Sequence, residues 1–223
     1  MIDQLVIGSV ASYDDFDASV KERKIKAPKK KSIKATVPFS NVTHDFSKIN
    51  GELYWEERPL EYVFEITADN PEELEEKKQA FCGWIMNVME EELHDPFIRD
   101  YHFIATFADI DPDDSEIEKS TITVSFTAYP YMIADRAKVY ENAIDVGSNL
   151  TFSVVNDSCH RLIPTVTLNG SGRIVYGNLS IAMGEGSVES EAFMLSVGRN
   201  TFYVENLGEA ELTVKISFHE EVF

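Results

Sequence analysis

Positive charge is what this sequence has least of: 20 Lys+Arg stand against 39 Asp+Glu, a formal net charge of −19. Affinity for nucleic acid comes mostly from cation–phosphate attraction, so a DNA-reading protein is excluded. Long apolar runs are missing too. No stretch approaches the ~18–20 apolar residues of a bilayer-spanning helix, and no membrane insertion is expected. The start, Met1-Ile2-Asp3-Gln4-Leu5-Val6-Ile7, lacks the basic flank and apolar core of a secretory signal, so synthesis in the cytosol is expected. Cysteine is scarce: Cys82 and Cys159 lie far apart in the chain, and two reduced thiols are expected rather than a disulfide. Hydrophobic content of 43% and charged content of 26% are ordinary globular values, and 223 residues suit two domains or one large β domain.

The patterns of common chemistry are absent as well. His44, His94, His102, His160 and His219 form no HExxH or HxH pair, and no Cys–His spacing fits zinc. Gly170-Ser171-Gly172 and Gly184-Glu185-Gly186 are followed by strand residues, whereas a phosphate loop needs a helix start, so both read as hairpin turns. Gly-x-Ser-x-Gly does not occur. Asp109, Asp111 and Asp113 match the first three positions of a calcium-binding loop. However, Asp114 stands where Gly is needed and Ser120 where a bidentate Glu is needed, so a solvated turn is expected. Nothing selects a catalytic carboxylate pair. No catalytic, cofactor-binding or metal-binding residue is assigned, and no enzyme is expected.

The charge that is present is unevenly placed. Residues 21–34, KERKIKAPKKKSIK, hold eight of the twenty basic residues and one acid, Glu22. With Pro28 and few apolar residues, this reads as an exposed loop or arm. A solvated loop is its plain reading; docking onto an acidic partner through Lys24, Lys26, Lys29, Lys30, Lys31 and Lys34 is the functional one. Next, Leu60, Tyr62, Phe64 and Ile66 alternate with Glu61, Val63, Glu65 and Thr67, the period of a half-buried strand. Asn70, Pro71, Glu72 and Glu73 then make a strong helix start. Leu74, Phe81, Trp84, Ile85, Val88 and Met89 share one helical face, which predicts a helix over about 70–89. Gly83 inside it suggests the close approach of another backbone. Tyr101, Phe103, Ala105 and Phe107, and then Ile122, Val124, Phe126 and Ala128, predict two strands joined by the acidic turn at 109–114.

The texture changes in the second half, which is richer in glycine and has no helical stretch. Seven short strands are predicted at 150–155, 163–168, 173–176, 179–183, 190–195, 201–205 and 211–218, the pattern of a small antiparallel sandwich. The expected organisation is mainly β. Residues 1–140 form an α+β domain with one principal helix, and residues 141–223 form a β-sandwich.

The stretch 36–66 resembles the N-terminal domain of the distal tail proteins of long-tailed bacteriophages. Val37-Pro38, Asp45-Phe46-Ser47, Gly51, Tyr54, Arg58, Leu60 and Phe64 fall on that family's pattern. The helix, the hairpin and Pro130-Tyr131 follow in the family's order. Pro164, Gly170, Gly198-Arg199-Asn200 and the last strand resemble the family's galectin-like sandwich. Phe39-Ser40 stand where the family has Gly after Val-Pro. The second half has no tryptophan to stack on a sugar, since Trp55 and Trp84 both precede it. The resemblance implies a virion structural protein at the tail tip, made in the host bacterial cytoplasm. Such a hub forms a homo-hexameric ring, stacked rings being a further arrangement. It joins the tail tube to tail-tip, fibre or receptor-binding proteins and lets DNA pass without sequence recognition. The other reading is a non-catalytic carbohydrate-binding β-sandwich module.

Overall fold

The computed structural model describes residues 3–36, 39, 41, 43–47, 53–115 and 118–223. The chain divides into two compact units, Met1–Met132 with Phe223, and Ile133–Val222. The first contains β1 (Val6–Ile7), β2 (Val10–Ala11), α1 (Ser12–Phe16), β3 (Ala18–Ile25), β4 (Lys34–Thr36), β5 (Thr43–Asp45), β6 (Arg58–Thr67), α2 (Pro71–Ile85), β7 (Glu91–His94), β8 (Tyr101–Ser115) and β9 (Lys119–Ala128). Its main sheet has the order β2-β1-β7-β8-β9-β6-β3, while β4 and β5 form a separate ribbon.

Period-two alternation builds this sheet. Leu60, Tyr62, Phe64 and Ile66 of β6 are buried, as are Ile122, Val124, Phe126 and Ala128 of β9. β6 and β9 pair antiparallel from Arg58↔Ala128 to Thr67↔Lys119. α2 covers the apolar face with Leu74, Phe81 and Ile85. Phe81 lies 4.9 Å from Phe64 and meets Phe16 edge-on at 6.0 Å between ring centroids. Burying each such ring contributes roughly 1.5–3 kcal/mol.

The helix starts as its sequence predicts: Asn70 Oδ1 accepts the Glu73 N–H at 2.9 Å, and Glu73 Oε2 accepts the Asp69 N–H at 3.3 Å. It ends at Ile85 rather than near Met89. The Asn87 side chain donates to the Gly83 carbonyl at 2.6 Å, so it takes the acceptor that a continuing helix would offer its own backbone N–H. The N–H groups of Asn87 and Val88 turn instead to Trp84 and Ile85, three residues back, which tightens and stops the helix. Val88 is buried, but Met89 is 72% exposed and lies off the core face predicted for it.

Gly83 also departs from expectation, because a Cβ there would meet nothing within 4 Å. With no crowding to avoid, Gly83→Ala is expected to stabilise the protein by about 0.5–1 kcal/mol. Urea denaturation checks this; a loss of stability would mean that the position is crowded.

The acidic segment after Phe107 is strand, not turn. β8 runs on to Ser115, with Asp109↔Ser125, Asp111↔Thr123 and Ser115↔Ser120 as partners. Register shifts at Phe107/Asp109 and Pro112/Ser115 absorb the extra residues. Alternation of Thr and Ser on β9 gives the acids a polar strand to pair with, which periodicity in the acidic segment itself does not reveal.

The sheet of the first unit curls until its ends meet. The Val20 N–H of β3 donates to the Asp3 carbonyl at 2.8 Å, just ahead of β1, although β3 and β1 stand near opposite ends of the strand order.

The second unit contains β10 (Met132–Ala134, which begins on the last residue of the first unit), β11 (Lys138–Ile144), β12 (Asn149–Asn156), β13 (Thr165–Leu168), β14 (Gly172–Tyr176), β15 (Leu179–Met183), β16 (Gly186–Glu189), β17 (Gly198–Asn206), β18 (Leu212–Phe218) and β19 (Glu221–Val222). Two four-stranded sheets, β11-β18-β13-β16 and β12-β17-β14-β15, enclose a core that includes Val154, Val166, Leu168, Ile174, Phe202, Val204, Val214 and Ile216. This is the predicted antiparallel sandwich. Residues predicted as a strand at 190–195 instead form a single 3₁₀ turn, Glu191–Phe193, because the Ser190 hydroxyl caps the Ala192 N–H at 3.2 Å. Gly172 is required where it stands: a Cβ would come within 2.7 Å of Leu212 and 3.3 Å of the Glu205 carbonyl. No helix among the described residues is long and apolar enough to cross a membrane.

Candidate functional site

The basic tract divides into two parts with different surroundings. Its first residues belong to β3 and are held by acids of the same unit. Lys21 pairs with Glu65 at 2.8 Å and Lys24 with Glu61 at 2.6 Å. The Glu61 hydrogen bond and charge push the Lys24 ammonium above its usual range.

Arg23 points inward. Its Nε bonds the Asp95 carboxylate at 2.9 and 3.1 Å, Nη2 reaches Asp3, and its guanidinium lies 4.2 Å over the Phe97 ring. Asp95 is fully buried and also accepts the Phe97 N–H at 3.0 Å. Tyr62 is buried beside this cluster. Burial first, and then the Asp95 charge, push its phenol well above the ordinary value. Reading 21–34 as one exposed tract misses Arg23, because nothing local says that its partners lie at positions 3 and 95.

The second part is a true arm, and it is tethered rather than loose. The Glu56 N–H donates to Lys29 O at 2.7 Å, Lys30 bridges Trp55, and the Lys31 N–H donates to Tyr54 O at 2.8 Å. Farther on, the Ile33 N–H donates to the Ser47 hydroxyl at 2.9 Å, and β4 pairs with β5 through Lys34↔Asp45 and Ala35↔His44. The Ser47 hydroxyl and N–H hold Asp45 below the usual carboxylate range, with Lys34 and Lys30 adding to this. Lys26, Lys29, Lys30, Lys31 and Lys34 are all exposed, and among the described residues no carboxylate lies at ion-pair distance from them. Ile33, Phe46, Leu53 and Tyr54 are exposed beside them, as is Phe39. Exposed ammonium groups and uncovered apolar side chains thus share this surface.

The residues that carry the family resemblance have structural work here. Arg58 is buried with its guanidinium over Phe103, and Leu60 and Phe64 are core. Asp45 and Ser47 shape the turn after β5, with Asp45 Oδ1 accepting the Ser47 N–H at 2.9 Å. Phe39 adopts φ of +64°, the left-handed region that favours the glycine found in the family. Val37, Pro38, Ser40 and Gly51 lie outside the described residues.

The other candidate groups are dispersed. Asp109 and Asp111 sit on the extended backbone of β8, not in a helix–loop–helix, and the Asp109 carboxylate accepts the Ile110 N–H at 3.0 Å. The Cys82 thiol is half-buried and pushed up by burial, and Cys159 Sγ bonds the Glu221 carbonyl at 3.5 Å. His160 faces Glu221 at 2.7 Å, and His219 meets the Ala134 carbonyl at 2.7 Å. His94 and His102, eight residues apart in the chain, face each other across β7 and β8 with ring centroids 5.0 Å apart.

No family model matches the sequence, and no curated protein matches it. Among solved structures, the crystal structure of SPP1 Dit (gp 19.1), described as a paradigm of the hub adsorption apparatus in phages infecting Gram-positive bacteria, matches with a TM-score of 0.70 at 10% identity. The match covers 98% of this chain and 99% of that one. A chain of the phage P2 baseplate in its activated, calcium-bound conformation matches at 8% identity with a TM-score of 0.40, over 96% of this chain and 98% of that one. The chain has the fold of SPP1 Dit across both of its units.

Proposed function

We propose, with that shared fold as the premise, that this protein is a structural component of the tail tip of a phage or prophage virion. It acts as a distal tail hub, a hexameric ring that joins the tail tube to the adsorption apparatus. One observation carries the reading: the likeness to SPP1 Dit extends over 98% of the chain, so it covers the order of both units rather than one common sandwich. The surface chemistry agrees with a packing role. The charged cluster of Arg23, Asp95 and Asp3 serves the fold, and the exposed lysines and apolar groups of the arm are suited to protein contact.

In this reading Lys26, Lys29, Lys30, Lys31 and Lys34 face an acidic neighbour, such as the tail-tube protein or an adjoining ring. Lys24 contributes less, because Glu61 already holds it. Fibre or receptor-binding proteins attach on the side away from the tube. DNA leaves through the central channel without being held, since a net charge of −19 per copy disfavours retention of a polyanion.

Native mass spectrometry and electron microscopy of the full chain, alone and with a tail-tube protein, test the proposal. Closed rings of six copies are the expected result. A chain that stays monomeric at every concentration and with the tube protein present would overturn it.

A further inference from the structure

The antiparallel register of β7 and β8 sets Glu91 opposite Ala105, Glu92 opposite Ile104 and Leu93 opposite Phe103. Carried one residue on, it sets His94 opposite His102. Directly opposed residues leave a sheet on the same face, and the two imidazoles stand side by side, their planes inclined by 40°. A ring nitrogen of one lies within 4.8 Å of a ring nitrogen of the other. Glu92, two residues before His94 and so on the same face, brings its carboxylate to 3.4 Å from His94 Nε2.

We infer that His94 and His102, with Glu92, form a site for a borderline divalent cation, Zn²⁺ foremost, that clasps β7 to β8. Zinc–nitrogen bonds of about 2.0–2.1 Å place two nitrogens of a tetrahedral ion about 3.3 Å apart. The half-exposed His94 ring closes that gap by rotation, while the buried His102 supplies a fixed ligand. The exposed Glu92 carboxylate, already beside His94, joins the two histidines by rotating toward the ion, which makes three ligands and leaves the fourth position to water. Imidazole nitrogen favours zinc, nickel or copper over calcium and magnesium, which take oxygen ligands. The acidic surface of the chain raises the local concentration of any cation. The inference rests on strand register and stands apart from the tail role.

Tag-free full-length protein, stripped with a chelator, is titrated with ZnCl₂ by calorimetry and with Co²⁺ by visible absorption. Wild type is expected to take up one equivalent saturably and to show the ligand-field bands of a four-coordinate cobalt ion. His94→Gln is expected to weaken zinc binding by at least ~tenfold, as is His102→Gln, and Cys159→Ser to leave it unchanged. Because His94 is partly exposed, its variant decides the matter even if His102→Gln does not fold. Absence of saturable zinc uptake by wild type, or uptake that survives His94→Gln, would overturn the site.

Discussion

Replacing Asp95 with Ala is expected to cost about 3–4 kcal/mol of folding stability, the largest single effect foreseen for this chain outside its apolar core. The carboxylate is fully buried, takes two bonds from Arg23 and caps the Phe97 N–H. Removing it leaves a guanidinium that is only 15% exposed with Asp3 as its remaining charged partner. Breaking a buried pair from one side costs about 3–5 kcal/mol, because the surviving charge stays out of water. The lower part of that range applies here, since Asp3 still faces Arg23. The double variant Arg23→Met, Asp95→Leu removes both charges and should recover at least half of the loss. Urea denaturation with an unchanged m-value measures both. A loss below about 1 kcal/mol for the single variant would show that the cluster is solvated and the pair weak.

The second prediction concerns assembly. Lys29→Gln, Lys30→Gln and Lys31→Gln together should leave folding stability within about 0.5 kcal/mol of wild type, because the residues are exposed and their backbone tethers remain. Association should weaken on the order of tenfold, three partly exposed ion pairs being worth about 0.2–1 kcal/mol each. The difference should shrink as salt rises, because screening removes from wild type what the substitutions have already removed. Sedimentation velocity over a salt series reads this directly. Identical association at all ionic strengths would return the arm to solvent.

Much of the fold was legible in the sequence, for reasons that individual residues make plain. Leu60 to Ile66 and Leu212 to Phe218 alternate because each strand buries one face, and Asn70 with Pro71 marks a helix start through local chemistry alone. The helix end was not legible, because it depends on which donor reaches the Gly83 carbonyl, and the competing donor is a side chain, that of Asn87. Polar strands such as the distal part of β8 escape a reading based on apolar periodicity. The basic tract was visible as composition, yet its division was not: Arg23 and Lys29 look alike in sequence and differ only in what lies across from them. The facing pair of His94 and His102 escaped for the same reason. Motif spacing is counted along a chain, whereas this pair is made by register between two strands.

The curl that brings Val20 to Asp3 and Arg23 to Asp95 also bears on how fast the fold forms and decays. β8 and β9 are neighbours in the chain and can pair early, whereas Arg23 and Asp95 are 72 residues apart and their contact must wait for a long loop to close. An interaction formed after the rate-limiting step acts on the unfolding rate and scarcely on the folding rate. The buried charges at the closure are therefore a latch on the exit. Weakening them is expected to shorten the lifetime of the folded chain more than it lengthens the time needed to reach it.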